Sequence, residues 1–381
     1  MKTYRILFTG GGSGGHIYPL VAVLEELYSL AAQGGFQFES YYMGPSYNLN
    51  QELAKRGVKI WSITSSKYRA YASIENILDI PKFIFSLFEA FVKMFILMPD
   101  VVFSKGGPGA LAVVIMAKFY HVPVIIHDSD AVPGLTNRAS ARFAEKIGIS
   151  FAAAGQYFFA KEKLALVGNP IRPELLRNSP SQSLGRMHFQ LNPQDKVALV
   201  LGGSLGSARI NDFILDNLAD MLSLAQIIHQ VGVKNVDQVK TEASVMLQET
   251  DPLAKHRYRI ISFLETEEMK NALAAADIVI SRAGSGAIFE LAYFGKPAIL
   301  IPLEESANGH QKANAYEYAN TGAAIVIEEP NLLNTLFMNQ LRDLLGSSDS
   351  LKAMSESALA FAKPKAGQKI AEEILKLTVL A

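Results

Sequence analysis

The chain has 381 residues and a mass of 41.6 kDa, more than one ordinary hydrophobic core holds, so two domains are expected. Lysine plus arginine and aspartate plus glutamate number 36 each, which removes the basic field that draws proteins to polyphosphate, and no nucleic-acid partner is expected. A composition 49% apolar and 19% charged excludes a disordered chain, and the absence of cysteine excludes disulfides, thiolate zinc sites and a cysteine nucleophile, as suits a reducing cytoplasm.

The first element is a strand from Tyr4 to Thr9, followed by the loop Gly10-Gly11-Gly12-Ser13-Gly14-Gly15-His16 and a helix opening near Pro19, where a first turn tolerates proline. The uncharged stretch from Ile6 to Leu24 holds five glycines, and its apolar runs are too short for a secretory segment or a spanning helix, so a soluble, cytoplasmic chain is expected. From Pro81 to Met98 the composition is the most unusual in the chain. Lys82, Ser86, Glu89 and Lys93 recur at helical spacing, and Phe83, Ile84, Phe85, Phe88, Phe91, Phe95 and Ile96 cover the rest. Such a helix is either core or lies in a membrane interface with its lysines near the headgroups. A strand from Val101 to Ser104 leads into Gly106-Gly107-Pro108-Gly109 and a helix from Ala110 to Ala117. A Pro-, Asn- and Ser-rich stretch from Asn169 to Pro193 reads as connection. The rhythm then restarts with a strand from Val197 to Leu201, the loop Gly202-Gly203-Ser204-Leu205-Gly206-Ser207 and a helix after Ala208. Strands follow at Ile278 to Ser281, Ala298 to Pro302 and Ala324 to Ile327, and the end from Ser357 to Leu380 is helical with a break at Pro364. Repeated strand, glycine turn and helix predict an α/β protein of two Rossmann-like domains with parallel sheets.

Three strand-to-helix glycine turns point free N–H groups and helix N-termini at one spot each, which suits phosphate or sugar hydroxyls. None is followed by Gly-Lys-Ser/Thr, so NTP hydrolysis is disfavoured, and Glu39 matches only approximately the ribose-binding acid of a dinucleotide site. Taken alone, these loops would suggest a nicotinamide oxidoreductase.

Taken together, the motifs are more specific. Gly11-Gly12-Ser13-Gly14-Gly15-His16, Lys105-Gly106-Gly107, Gly134-Leu135-Thr136-Asn137, Gly168-Asn169-Pro170-Ile171-Arg172, Gly202-Gly203-Ser204, and Ser281-Arg282-Ala283-Gly284 running to Glu290 occur in order, and His310-Gln311 and Asn314-Ala315 complete the set. In this the chain resembles the MurG family of bacterial N-acetylglucosaminyltransferases, of GT-B fold, across nearly its whole length. The resemblance implies two Rossmann-like domains facing each other across a cleft: residues 1–167 for the acceptor and the membrane, 168–195 as connection, 196–350 for UDP-N-acetylglucosamine, and 351–381 as a helical segment packing back on the first domain. It implies transfer of N-acetylglucosamine from UDP-N-acetylglucosamine to the MurNAc 4-hydroxyl of undecaprenyl-linked lipid I, giving lipid II for peptidoglycan, with inversion. The enzyme would sit peripherally on the cytoplasmic face of the membrane, held by Pro81 to Met98. The alternatives are another UDP-sugar protein of the same fold, such as a UDP-N-acetylglucosamine 2-epimerase or a glycolipid transferase, or a non-catalytic sugar-nucleotide-binding subunit.

Inverting transfer needs a base for the acceptor proton and a clamp for the departing diphosphate. His16, closing the first loop, is the foremost base, and Asp128 is the second. Neither a metal nor another cofactor is expected, so N–H groups and a cation should neutralise the diphosphate, and Ser204 with the helix after it is the natural diphosphate site. A carboxylate suits a ribose diol, the role the resemblance gives Glu290. The resemblance further implies donor contacts from Ser13, Gly14, Gly15, Asp130, Arg172, Ser285, Gly286 and Ala287, from the backbone of Leu264 toward uracil and from Gln311 toward the sugar. It places the acceptor against Gly106, Gly107 and Asn137. Two departures stand out: the family's usual His-Glu-Gln-Asn is His127-Asp128-Ser129-Asp130 here, and the loop after Gly107 lacks the usual aromatic. At Asp130 an ionised carboxylate only accepts hydrogen bonds.

Overall fold

Short apolar runs stopped by glycine, proline or aspartate become strands, and the longer patterned stretches between them become helices. The computed structural model describes residues 3–65, 74–203, 206–247 and 254–379, and the chain divides into two compact units: Met1–Arg172 with Lys363–Ala381, and Pro173–Ala362.

In the first unit β1 (Thr3–Thr9), β2 (Gln37–Gly44), β3 (Lys59–Ser62), β4 (Val101–Ser104), β5 (Val124–Asp128), β6 (Lys146–Ile149) and β7 (Leu164–Leu166) form a parallel sheet in the order β3-β2-β1-β4-β5-β6-β7. Side chains alternate across it. Ile6 and Phe8 face Leu20, Val23 and Leu24 of the helix Gly14–Gly34, while Leu7 joins Val102, Val113 and Ile126 on the other face. The strand order reverses between β1 and β4, whose ends are level, with Thr9 opposite Ser104. The loops after them therefore lie side by side, where α/β sheets bind ligands.

The second unit repeats the plan. There β8 (Val197–Leu201), β9 (Gln226–Gln230), β10 (Tyr258–Ile261), β11 (Ile278–Ser281), β12 (Ala298–Leu300) and β13 (Ala324–Val326) pair in parallel as β10-β9-β8-β11-β12-β13, with the reversal between β8 and β11. Ser281 stands opposite Leu201.

Several elements differ from expectation. The first helix opens at Gly14 and not near Pro19, which sits one turn inside and leaves only the Gly15 carbonyl without its N–H partner. The stretch 168–195 is more than connection: it contains the helices Pro173–Leu176 and Gln182–His188 and belongs to the second unit from Pro173 onward. Gly185 leaves no room for a Cβ against the Asn271 carbonyl, and Arg186 pairs with Asp277 at 2.7 Å, which fixes this segment despite its loop-like composition. A boundary at 350 would cut the helix Ser348–Phe361, whose Phe361 ring lies 5.1 Å from that of Phe289 in the second unit. The chain enters the first unit at Lys363, and Ile370 and Ile374 of the helix Ala366–Val379 join the cluster of Leu20 and Val23.

The helix Ile74–Leu97 reverses the usual amphipathic logic. Ser86, Ala90, Met94 and Leu97 are buried, Glu89 accepts the Thr64 N–H at 2.6 Å, and Lys93 donates to the Ser62 carbonyl. Ile84, Phe85, Phe88, Phe95 and Ile96 face solvent, each at least 55% exposed. A wholly buried core helix is excluded. Phe91 adds to a ring cluster with Phe119 and Tyr120, its centroid 5.6 Å from each. Among the described residues no helix is long and apolar enough to cross a membrane.

Candidate active site

In the first unit the loops after β1 and β4 touch backbone to backbone. A Cβ on Gly107 would stand 2.8 Å from the Cα and N of Gly11 and 3.1 Å from His16 Nε2, and Gly107 has φ +89°, so both sterics and backbone demand glycine. His16 lies over this junction, half-buried. Its Nδ1 is 2.8 Å from the Oγ of Ser13, the N-cap residue, so with Nδ1–H donated to Ser13 the lone pair of Nε2 is directed at the Gly107 loop. Gly14 and Gly15 form the first turn of that helix. The Arg172 guanidinium lies 5.3 Å from the centre of the Tyr18 ring on the same helix, a cation–π contact that sets it at the edge of this loop region.

Asp128, the last residue of β5, is not placed as a free base. It is buried, and its carboxylate accepts the N–H groups of Asp130 at 3.0 Å and Gly134 at 3.2 Å and the amide of Asn137 at 2.9 Å. Burial, aided by the charge of Asp130, pushes its pKa up to about 6 against the opposing pull of these donors. Asn137 also donates to the His127 carbonyl, and a Cβ on Gly106 would fall 2.5 Å from its Oδ1. Asn137, itself buried, thus braces the loop from behind. Asp130 is half-buried at the rim.

Two residues quoted above only as parts of motifs carry the interior of this site. Lys105 is buried, with Nζ 2.7 Å from His127 Nδ1 and bonded to Ser129 Oγ, and burial lowers its pKa to about 8 although Asp128 and Asp130 favour its charge. His127 holds its Nε2 2.9 Å from the Gly168 carbonyl, and burial together with the Lys105 charge keeps it well below the usual imidazole range. Ser129 in turn donates to Asn169 Oδ1 at 2.8 Å.

In the second unit the loops after β8 and β11 are the neighbours. Ser204 lies outside the described residues, but the loop's end is defined: Ser207 caps the helix Ala208–Asp216, and Arg282, directly after β11, donates to Ser207 Oγ at 2.7 Å and pairs with Glu329 at 2.5 Å. Buried Arg282 was also legible only as a motif letter, yet it ties the two loops together. Ser285, Gly286 and Ala287 form the first turn of the helix Ser285–Tyr293, whose leading N–H groups have no intrahelical acceptor. A Cβ on Gly284 or Gly286 would meet nothing within 4 Å, so this turn is open to a ligand. Glu290 follows Gly286 by four residues and Ala287 by three, on one face of that helix. A helix N-terminus of this kind suits an anion in general, and a carboxylate suits a pair of hydroxyls. Leu264 is buried, and its N–H is engaged by Gln230 Oε1 at 3.0 Å while Gln230 Nε2 donates to the Gly203 carbonyl at 3.1 Å. Gln311 Oε1 likewise accepts the Leu303 N–H at 3.1 Å. Among the described residues no cluster of His, Asp and Glu is placed to hold a metal ion.

Both units find counterparts among known proteins. The N-terminal domain of glycosyltransferase family 28 matches residues 6–149 and its C-terminal domain residues 197–373. The UDP-N-acetylglucosamine–N-acetylmuramyl-(pentapeptide) pyrophosphoryl-undecaprenol N-acetylglucosamine transferase of Clostridium botulinum is 35% identical over 353 residues, 92% of each chain. The crystal structure of Acinetobacter baumannii MurG superposes with a TM-score of 0.74 at 25% identity, covering 98% of this chain and 99% of that one. A UDP-GlcNAc 2-epimerase from Neisseria meningitidis reaches 0.68 at 14% identity over 98% and 100%, so the fold alone does not separate transferase from epimerase, whereas the sequence does. This chain is a member of glycosyltransferase family 28 and, within it, of the MurG family of GT-B enzymes.

Proposed function

We propose that the chain transfers N-acetylglucosamine from UDP-N-acetylglucosamine to the MurNAc 4-hydroxyl of lipid I, releasing UDP and forming lipid II. The observation that carries the reading is the junction of two glycine loops under His16, where the half-buried imidazole stands over Gly107 with Nδ1 on Ser13. In a single displacement the acceptor oxygen bonds to the anomeric carbon as the bond to the diphosphate oxygen breaks, which inverts the centre. The hydroxyl proton passes to His16 Nε2. Charge growing on the leaving diphosphate meets the N–H groups of Ser285, Gly286 and Ala287 and the loop at Ser204, and Glu290 accepts from the ribose hydroxyls. Asp128, already committed to three donors, shapes the loop and does not take the proton.

The acceptor's undecaprenyl chain stays in the bilayer, so the first unit must meet the membrane, and the exposed face of the helix Ile74–Leu97 with Phe119 is the surface suited to it. On this reading the enzyme works peripherally, at the cytoplasmic side of the membrane. Incubation with labelled UDP-N-acetylglucosamine and a lipid I analogue should move label into the lipid. Label that stays in the nucleotide pool, or is epimerised without acceptor, would overturn the reading.

A further inference from the structure

Lys105 is a costly residue to place where it stands. An ammonium 3% exposed loses its hydration, and the site returns only two hydrogen bonds and the field of Asp128 and Asp130. What an ammonium does that no neutral side chain does is donate in every direction and accept in none. Both partners must therefore accept from it, and each then has its own proton left to give. His127 gives Nε2–H to the Gly168 carbonyl, and Ser129 gives its hydroxyl proton to Asn169 Oδ1. The two chains of hydrogen bonds end on adjacent residues of the segment that leads to Arg172, while Lys105 itself is the residue before Gly106 and Gly107.

We propose that Lys105 is a positioning residue for the transfer, setting the direction of both hydrogen-bond chains so that the Gly168–Arg172 segment and the Gly106–Gly109 loop are held in one register. Without it, Ser129 is free to accept from the Asn169 amide, Asn169 turns over, and Arg172 loses its fixed approach. This rests on the reaction proposed above, and it concerns a residue buried beneath the loop.

The test is a double-mutant cycle in the full chain. Lys105→Met, of similar length and without a donor, should lower kcat about tenfold while its circular dichroism spectrum and cooperative melt stay those of the folded wild-type chain, which shows that folded enzyme has not been lost. Ser129→Ala should lower kcat less, and the double variant should be no slower than Lys105→Met, because the serine acts only through the lysine. Losses that multiply, or a folded Lys105→Met with wild-type kcat, overturn the proposal. Should Lys105→Met fail to fold, an unchanged kcat in Ser129→Ala overturns it alone. In histidine labelled with 15N, the His127 Nδ1 resonance should move toward that of an unbonded ring nitrogen in Lys105→Met. A wild-type chain that transfers nothing refutes the reaction, and this resonance still reports whether Lys105 holds His127.

Discussion

The outward face of the helix Ile74–Leu97 permits a perturbation whose size follows from exposure. Phe88 and Phe95 are 62% and 67% exposed, seven residues apart and so on one side of the helix. A phenylalanine offers roughly 200 Å², so the pair presents on the order of 250 Å² to solvent, worth at most about 6 kcal/mol at ~25 cal/mol per Å². Shallow insertion that covers about half of this is worth roughly 3 kcal/mol, or about two decades of partitioning. Phe88→Ser with Phe95→Ser should therefore cut sedimentation with anionic phospholipid vesicles about a hundredfold, with folding stability altered by no more than about 0.5 kcal/mol, as at other exposed sites. Met94→Ala is the control in the opposite sense: Met94 is fully buried, and its truncation should cost about 2–5 kcal/mol of stability while the exposed aromatic surface stays intact. Vesicle sedimentation and thermal melts followed by circular dichroism separate the two. If the doubly substituted chain is folded and sediments like the wild type, or if it melts like Met94→Ala, the assignment of this face to the membrane fails.

Four other perturbations address the site. His16→Ala should reduce turnover by about 10² with UDP affinity little changed, and normal turnover in a folded variant would leave His16 a mere helix-start residue. Gly107→Ala combines a left-handed backbone, φ +89°, with backbone contacts at 2.8 Å. It should cost about 2–4 kcal/mol, roughly 5–15 °C in Tm, and abolish turnover, so a fully active, stable variant refutes the packed junction. Glu290→Ala should weaken UDP binding by about 1.5–3 kcal/mol, and calorimetry showing wild-type affinity removes Glu290 from the donor site. The Asp128 carboxyl has its pKa raised from 3.8 to about 6 in the folded chain, so between those values the folded state holds the proton more tightly than the unfolded one. Its contribution to stability therefore declines as pH rises from about 4 to 6, and Asp128→Asn should remove that component from the denaturation midpoint measured across this range.

The parts of the site that sequence disclosed are those in which one short segment carries its own meaning. Glycine loops after apolar strands mark strand-to-helix turns in the sequence, and His16 stands out there because it ends such a loop. Lys105 and Arg282 were visible as letters beside glycines, but their work depends on which strands neighbour which. Lys105 reaches His127 because β4 and β5 are adjacent, and Arg282 reaches Ser207 because β8 and β11 are. Strand order is a property of the assembled sheet, and no spacing along the chain expresses it. Asp128 shows the same limit, since only the folded chain brings Asp130, Gly134 and Asn137 around its carboxylate. The helix Ile74–Leu97 carries the argument furthest. Periodicity correctly separated a polar stripe from an apolar face, and the ordinary rule would put the stripe in water. Here Glu89 and Lys93 instead satisfy an N–H at Thr64 and a carbonyl at Ser62, next to the edge strand β3, where backbone groups left by the sheet need partners. Once the polar stripe is spent on that edge, the aromatic face has only the outside left, and a chain that leaves Ile84, Phe85, Phe88, Phe95 and Ile96 there forgoes several kcal/mol of burial unless a second apolar phase covers them.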